Sequence, residues 1–249
     1  MKLGKDEIEK IESAASLVEG LEIVCNLFPG KVVFSSSLGQ EDQVITDAIF
    51  KHNLPIKIFT LDTGRLFNES YELLERTNAR YKKNIQVYFP DANDVEEFVA
   101  TKGVNSFYES VENRKQCCHI RKVKPLNRAL LGAGVWVTGL RAEQSDSRKD
   151  MSVIEWLEDK QLYKFNPLLN WTYAEVMDYI NEFYVPYNPL HDKGFVSIGC
   201  APCTRAIEPG EDPRAGRWWW ETSQKECGLH VPDAKEENNF KANPVNQQL

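Results

Sequence analysis

Short apolar runs alternate with stretches of helical periodicity through the first half of the chain. The runs KVVFSS, IKIFTLD, IQVYF and VWVTGL are rich in β-branched residues, which is typical of strands buried on both faces. Helical spacing follows the first three, in QEDQVITDAIF, NESYELLERTNARY and NDVEEFVATKG, and precedes the fourth, in VKPLNRALLG. This alternation predicts an α/β fold, a parallel twisted sheet with helices on both faces.

The pattern differs at the two ends of the chain. Apolar spacing from Ile8 to Val24 predicts one amphipathic helix that stops before Pro29-Gly30, with Cys25 as a buried core residue. After residue 152 we expect a hairpin, VIEWLEDKQLYKFNPL, and then a helix, WTYAEVMDYINEF. We therefore expect a single domain over 1–230, with an α/β core at about 28–170, an irregular C-terminal lobe at about 171–230 and a flexible tail at 231–249.

Charge and hydropathy exclude several classes of partner. The net charge of −7 gives no general attraction for nucleic acid or for an anionic membrane. No apolar run approaches the roughly 18 residues of a membrane span, and the opening MKLGKDEIEKIES is too polar for a signal peptide. We expect a cytoplasmic protein whose six cysteines are ligands, nucleophiles or core residues rather than disulfides.

Three polar loops, SSSLGQED, LDTGRLF and TGLRAEQSDSR, follow predicted strands. Ligands of parallel sheets bind at the carboxyl ends of strands, so the three loops together predict a nucleotide site. The serines can cradle a phosphate at a helix start, although Ser37 as an ordinary N-cap is an alternative. The second loop suits a ribose or base, and the glycine of the third lets a flat ring approach the backbone. The candidate residues are Ser35, Ser36, Ser37, Asp62, Thr63, Gly139 and Arg141.

The cysteines are grouped. QCCHIRK contains Cys117 and Cys118, and CAPC contains Cys200 and Cys203, a four-thiolate set that suits an iron-sulfur cluster or zinc. Adjacent cysteines project divergent side chains, which favours a cluster over one small zinc tetrahedron; zinc and unliganded thiols remain alternatives. A thioredoxin-like redox pair at CAPC would leave the first pair unexplained.

The remaining cysteine, Cys227, lies in the polar segment QKECGLH. It is a candidate nucleophile, and an incidental surface thiol is the alternative. Arg214 and Arg217 precede it in EDPRAGRWWWE, where the three tryptophans either pack the lobe against the core or form a lid over a ligand. His52 and His191 are interpreted as structural.

In combination, SSSLGQED, LDTG, CCHIRK, TGLRAEQS, YKFNPL, PYNPLH, GFVSIGCAPCTR, GRWWWE and KECGLH resemble the assimilatory sulfonucleotide reductases. The resemblance is greatest to the adenylyl-sulfate (APS) reductases of the bacterial type and runs from about residue 30 to His230. It implies a fold like that of the adenine nucleotide alpha-hydrolases and reduction of APS to sulfite and AMP in sulfate assimilation. It also implies an external thioredoxin or glutaredoxin as reductant, an S-sulfocysteine intermediate on Cys227, and a 4Fe-4S cluster on the four grouped cysteines.

The resemblance extends to the substrate contacts. Lys122, Arg214, Arg217 and His230 fall on positions associated with the phosphosulfate, Arg148 matches a further substrate arginine, and the strand-end candidates fall on the nucleotide-facing loops. The alternatives are a reductase of the 3'-phosphorylated substrate PAPS or of both substrates, and beyond them an iron-sulfur sulfurtransferase or a zinc-stabilised binding module. The sequence leaves self-association into a homo-oligomer open.

Overall fold

One sheet forms the centre of the molecule. The computed structural model describes residues 2–145 and 148–221. Its strands are β1 (Val32–Ser35), β2 (Lys57–Leu61), β3 (Gln86–Tyr88), β4 (Val135–Val137), β5 (Ile154–Leu157) and β6 (Leu162–Phe165). In spatial order β3-β2-β1-β4-β6-β5, all are parallel to their neighbours except β5, which pairs antiparallel with β6. The predicted sheet and hairpin are therefore confirmed.

Helices cover both faces of this sheet, as the sequence predicts. Along β1 the side chains alternate: Phe34 packs in one core cluster with the helices Leu17–Leu27, Gln40–Lys51 and Tyr173–Phe183. Val33 packs on the opposite face against Leu126. The helices within the described residues are α1 (Lys5–Glu12), α2 (Leu17–Leu27), α3 (Gln40–Lys51), α4 (Asn68–Tyr81), α5 (Ala92–Lys102), α6 (Val111–Cys118), α7 (Lys124–Ala129) and α8 (Tyr173–Phe183).

The first predicted helix is wrong in one respect, because the segment forms two helices rather than one. The break falls at residues 13–16. Ser16 takes an extended conformation there, and its hydroxyl accepts a hydrogen bond from the Glu19 N–H, so it caps α2. Apolar residues on both helices still face the core, which is why the hydrophobic spacing runs through the break.

The order of the strands creates a crevice. β1 lies between β2 and β4, with Phe34 in register with Ile58 on one side and Val137 on the other. The chain leaves β1 toward β2 and reaches β4 only later, so the direction of winding reverses between β1 and β4. Such switch points are where open α/β sheets bind ligands.

A π-helical segment, His119–Val123, joins α6 to α7 without a break in the helical path. The Lys124 N–H donates to the His119 carbonyl, five residues back rather than four. Cys117 and Ile120 pack here with Cys203 and Trp218 in a third hydrophobic cluster, which joins this segment to the lobe after α8. Among the described residues, no helix has the length and apolar character needed to cross a bilayer.

Candidate active site

A cleft of about 550 Å³ opens at the carboxyl ends of β1 and β4, within the range of small-molecule sites. Ten of the predicted substrate residues line it, and Asp62 does not. His230 and Cys227 lie outside the described residues, as does the predicted tail 231–249. The ten are Ser35, Ser36, Ser37, Thr63, Lys122, Gly139, Arg141, Arg148, Arg214 and Arg217.

The serine loop is held by a buried carboxylate. The backbone N–H and the hydroxyl of Ser37 both donate to Asp42 Oδ2, at 2.5 and 2.6 Å. The N-cap interpretation of Ser37 is therefore wrong: α3 is preceded by Gly39, and no side chain caps it. Burial raises the pKa of Asp42 to about 7, although the two bonds from Ser37 act in the opposite direction.

The same carboxylate explains why residue 139 is a glycine. A Cβ added at Gly139 would lie 2.1 Å from Asp42 Oδ1, so only glycine leaves room for the acid. The sequence suggested that a flat ring approaches this backbone, whereas the structure places Asp42 there. The neighbouring Arg141 is buried and forms ion pairs with Glu41 at 2.9 Å and Glu143 at 3.0 Å, so much of its charge is neutralised within the protein.

The loop after β2 makes contacts both within its own turn and with the segments that carry the grouped cysteines. Asp62 Oδ1 accepts hydrogen bonds from the Gly64 N–H at 2.7 Å and the Tyr71 hydroxyl at 3.0 Å, and so shapes the turn rather than lining the cleft. The Thr63 hydroxyl lies 3.2 Å from Cys200 Sγ, and the Thr63 carbonyl accepts from Arg121 Nη1 at 2.7 Å. This loop therefore connects the cleft to the grouped cysteines.

The lobe contributes cations. Arg217 is buried over Gly199, where an added Cβ would lie 2.4 Å from Arg217 Nη2. Its Nη1 donates to Ser197 Oγ at 3.2 Å, while its buried Nε has no hydrogen-bond partner among the described residues. Arg148 donates to the Gln144 side-chain oxygen and also lines the cleft. A buried guanidinium with an unused donor is suited to bind an anion.

The four grouped cysteines line a second, small cavity of about 20 Å³. Arg65, Arg114, Arg121 and Lys122 surround it together with Phe107. Cys117 and Cys118 end α6, and the other pair lies at a short 3-10 turn, Ala201–Cys203. Lys122 lines both this cavity and the large cleft, and so forms part of the wall between them.

The cysteine cavity fits a thiolate-bound metal group in its chemistry. Burial raises the pKa of the Cys203 thiol to about 12 and also raises that of Cys117, so a bound metal would be needed to keep both deprotonated. The surrounding cations suit an anionic group. Within 2–145 and 148–221, no three His, Cys, Asp or Glu side chains are arranged to hold a single metal ion.

The tryptophans and His191 also had sequence-based interpretations. Trp218 is buried between Arg114 and Arg217, whose guanidinium carbons each lie 4.7 Å from a ring centroid, and none of the three tryptophans lines the cleft. Trp218 and Trp220 pack the lobe, as one of the two interpretations holds, whereas Trp219 is exposed. His191, interpreted as structural, does line the cleft, and burial lowers its pKa. Its Nε2 is buried and lacks a partner among the described residues.

Among the cleft residues that sequence reasoning missed are three acids and a histidine: Glu41, Asp42, Glu143 and His191. The acids were visible as charges immediately after two predicted strands, in SSSLGQED and TGLRAE. The position of His191 depends on how the lobe folds back, for which the local sequence gives no signal.

A model of the phosphoadenosine phosphosulfate reductase domain matches residues 31–206, which contain all six strands, most of the cleft lining and all four grouped cysteines. The chain belongs to this family. It is 54% identical to the adenosine 5'-phosphosulfate reductase of Burkholderia cepacia over 202 residues, 81% of each chain. It is 50% identical to the enzyme of the same name from Allochromatium vinosum, over 92% of this chain and 88% of the other.

Solved structures agree with membership of the family. The phosphoadenylyl-sulfate reductase of Candida auris, crystallised with phosphate, superimposes with a TM-score of 0.70 at 31% identity, covering 83% of this chain and 99% of the other. An FMN adenylyltransferase of Candida glabrata superimposes with a TM-score of 0.52 at 16% identity, over 92% of this chain and 77% of the other. The second likeness concerns the fold alone, and it supports the predicted relation to adenine nucleotide alpha-hydrolase-like folds.

Proposed function

We propose that the protein reduces adenosine 5'-phosphosulfate to sulfite and AMP in sulfate assimilation, with a dithiol such as thioredoxin or glutaredoxin as reductant. The observation that most supports this proposal is that Lys122 lines both the cleft at the β1–β4 switch point and the cysteine cavity. A phosphosulfate in the cleft would then lie between nucleotide-facing loops and a cationic wall. Relatives named adenosine 5'-phosphosulfate reductase support the choice of substrate.

The proposed nucleophile is Cys227, which lies outside the described residues. Its thiolate attacks the sulfur of the substrate, so a sulfur–sulfur bond forms and the bond from that sulfur to the bridging oxygen breaks. AMP leaves with the bridging oxygen, and an S-sulfocysteine remains. One thiolate of the reductant then attacks Cys227 Sγ and displaces sulfite, which leaves a mixed disulfide. The second thiol of the reductant attacks this disulfide and releases the Cys227 thiolate, so oxidation of the dithiol to a disulfide supplies both electrons of the reduction.

Cations have a direct role in the first step because the thiolate and the substrate are both anionic. Lys122, Arg214 and Arg217 line the cleft, and we propose that they neutralise the phosphosulfate, together with His230. The buried, unused Nε of Arg217 supports this assignment. The serine loop, Thr63, Gly139, Arg141 and Arg148 would position the nucleotide. Asp62 would act indirectly by shaping its loop.

A sulfite-release assay tests this function. Purified protein is mixed with adenosine 5'-phosphosulfate and reduced thioredoxin, and Cys227→Ser is compared with Cys25→Ser. Cys25 is a matched control because it lies in the core on α2, where burial raises its pKa to about 11. We expect the wild type and Cys25→Ser to be equally active, and each to release one sulfite for every AMP. Sulfite release by Cys227→Ser would refute the nucleophile assignment.

Parallel assays address the substrate. The 3'-phosphorylated nucleotide is the alternative substrate, since the Candida auris relative is named for it. We expect a higher kcat/KM for the form with a free 3'-hydroxyl. Equal kcat/KM values for the two nucleotides would instead indicate a dual-specificity enzyme.

We further propose that Cys117, Cys118, Cys200 and Cys203 bind a 4Fe-4S cluster. Four thiols that share one cavity match the four thiolate ligands that such a cluster takes. When bound, the cluster would organise the site and add negative charge beside Lys122. Thiol chemistry supplies both electrons for the reaction.

Metal content tests the cluster independently of turnover. We expect protein purified without oxygen to be brown and to contain iron and acid-labile sulfide in equal amounts, about four of each per chain. Cys200→Ser should lose the colour and the iron, and Cys25→Ser should keep both. A colourless wild type with one zinc per chain would refute the cluster.

Three further properties are part of the proposal. Thiols that must stay reduced for metal binding fit a cytoplasmic setting. The third hydrophobic cluster, which joins α6 to the lobe, supports one domain over 1–230. The oligomeric state is open to measurement by light scattering, with a homo-oligomer as one outcome.

A further inference from the structure

The four grouped cysteines are not equally accessible. Cys117 and Cys203 are each only 9% exposed, whereas Cys118 and Cys200 are half-buried. The two buried thiols pack in the third hydrophobic cluster with Phe107, which also lines the cysteine cavity and is 1% exposed. Phe107 is the one aromatic side chain in the described lining of that cavity. A metal ion or reagent that approaches from this side must therefore displace Phe107 to reach the buried thiols.

Phe107 belongs to a short connection between α5 and α6, residues 103–110, which we call the cover segment. It begins at Gly103, whose φ of +93° is a conformation that other residues rarely adopt. It ends at Ser110, whose hydroxyl caps α6. Its regular structure is limited to one 3-10 turn, Ser106–Tyr108, so its position depends largely on contacts made by side chains.

Arg65 and Tyr108 attach the cover segment to the rest of the protein. Arg65, in the loop after β2, donates from Nη2 to the Val104 carbonyl, and its guanidinium carbon lies 4.9 Å from the centroid of the Phe107 ring. The Tyr108 hydroxyl donates to the Pro202 carbonyl at 2.6 Å. Tyr108 is 41% exposed, so this bond adds only a modest free energy to the closed position.

These contacts connect the cover segment to the turn at which the second cysteine pair lies, Ala201–Cys203. The Ala201 N–H donates to the Arg65 carbonyl at 2.8 Å, so Arg65 binds both the turn and the cover segment. Trp220 adds an edge contact with Tyr108, with ring centroids 4.4 Å apart. No residue of these contacts belongs to the two hydrophobic clusters that pack on the sheet, so the cover segment can open while the sheet stays folded.

We propose that the cover segment is a lid whose local opening controls the passage of metal to and from the four grouped cysteines. In the closed position Phe107 lies over the two buried thiols, and in the open position these thiols are exposed without unfolding of the sheet. The rates of metal insertion and loss then depend on the contacts of Arg65 and Tyr108 rather than on global stability. For the metal-loaded protein the inference rests on the proposed cluster, whereas access to the thiols is measured without metal.

Alkylation of the cysteines with iodoacetamide in iron-free, full-length protein tests the lid, and mass spectrometry identifies each modified residue. Tyr108→Phe keeps the ring but removes the bond to Pro202, so the open position gains population and Cys203 should react about fivefold faster. Tyr187→Phe is the matched control, because the Tyr187 hydroxyl donates to Asp192 at 2.9 Å, away from the described lining of either cavity. In this control Cys203 should react at the wild-type rate.

Cys25 reports on global unfolding in the same samples, because it is buried on α2 in the main core. Each tyrosine variant loses one hydrogen bond of the folded state, so both should speed the alkylation of Cys25 by similar factors. Low concentrations of urea should accelerate Cys25 far more than Cys203, because opening of the lid exposes little surface. If both variants accelerate Cys203 equally, or if urea affects the two cysteines alike, the buried thiols are reached by global unfolding and the lid is disproved.

Transfer of iron to a chelator tests the same lid in the metal-loaded protein. From samples of equal iron content, Tyr108→Phe should release iron about fivefold faster than the wild type, and Tyr187→Phe should release it at the wild-type rate. Equal rates for all three proteins would overturn the lid, whatever their activity. A wild type without iron would instead refute the proposed cluster, and absence of sulfite release would refute the proposed function; the alkylation rates would still report on the lid in both cases.

Discussion

The buried ion pair between Arg114 and Glu221 allows a quantitative test of how the lobe is attached. Arg114 Nε and Nη2 bind the two Glu221 oxygens at 2.9 and 2.8 Å, and the two side chains are only 2% and 4% exposed. Arg114 also packs on Trp218 and lines the cysteine cavity. The pair therefore connects α6, the third hydrophobic cluster and the last described residue of the lobe.

Replacing either Arg114 or Glu221 alone should lower the free energy of unfolding, because the charge of the other side chain stays buried without its partner. Losing one member of a buried pair costs about 3–5 kcal/mol. At roughly 2–4 °C per kcal/mol for a chain of this size, Arg114→Met and Glu221→Leu should each lower Tm by about 6–20 °C. The double variant removes both charges and should regain most of this loss, less about 1–2 kcal/mol for the contact with Trp218.

Thermal unfolding of the wild type, the two single variants and the double variant completes the cycle. Arg205 and Glu211 serve as the matched control, since they form the same two-bond pair, both at 2.9 Å, but with 38% and 33% of their side chains exposed. Arg205→Met should leave Tm nearly unchanged. If the double Arg114/Glu221 variant loses as much stability as the two single variants added together, the buried-charge reasoning is wrong.

Two further predictions follow from close contacts in the cleft. Gly199→Ala places a Cβ 2.4 Å from Arg217 Nη2, so the guanidinium must move, and AMP should bind about ten- to a hundredfold more weakly. Gly4→Ala is the control, because its added Cβ meets nothing closer than 3.7 Å, and it should bind AMP as the wild type does. If titration calorimetry gives Gly199→Ala and the wild type the same affinity for AMP, the steric argument is wrong. Burial lowers the pKa of His191 in the folded protein. Just below pH 6.5 the unfolded chain therefore binds more protons than the folded chain, so the free energy of unfolding falls as the pH drops through that window. His191→Gln should remove this part of the acid sensitivity between pH 7.5 and 5.5, whereas the exposed His52→Gln should keep it; identical Tm profiles for wild type and His191→Gln would count against this explanation.

The centre of the sheet was predictable because β1 and β4 are buried along almost their whole length. The runs that form β1 to β4 are almost entirely apolar there, and at least one complete helix separates each from the next. The break between α1 and α2 was not predictable from hydrophobic spacing, because Ile11 and Leu17 face the same core although they belong to different helices. Hydrogen bonds from the Glu19 N–H to Ser16 and from the Ala15 N–H to the Glu19 carboxylate mark the start of α2, and the apolar spacing does not reveal them.

The composition of the site was more predictable than its internal bonding. Strand-end loops identified most of the cleft lining, since parallel strands bring their carboxyl ends to one edge. Ser37 was misread because its partner, Asp42, lies in the first turn of the next helix and takes the hydrogen bonds of the serine. Asp62 was placed in the cleft because sequence order does not reveal that Tyr71 and Gly64 bind it first.

The five-residue hydrogen bond in His119–Val123 has a consequence for how the site could be altered. An ordinary α-helix turns by about 100° per residue, so deleting one residue here to restore α-helical geometry would rotate everything downstream by that angle relative to the cysteine pair. Lys122 would then leave the wall between the cleft and the cysteine cavity, although no cysteine or arginine had been replaced. The connection between the cysteine cavity and the cleft thus depends on the winding of one short helix as much as on which side chains it carries.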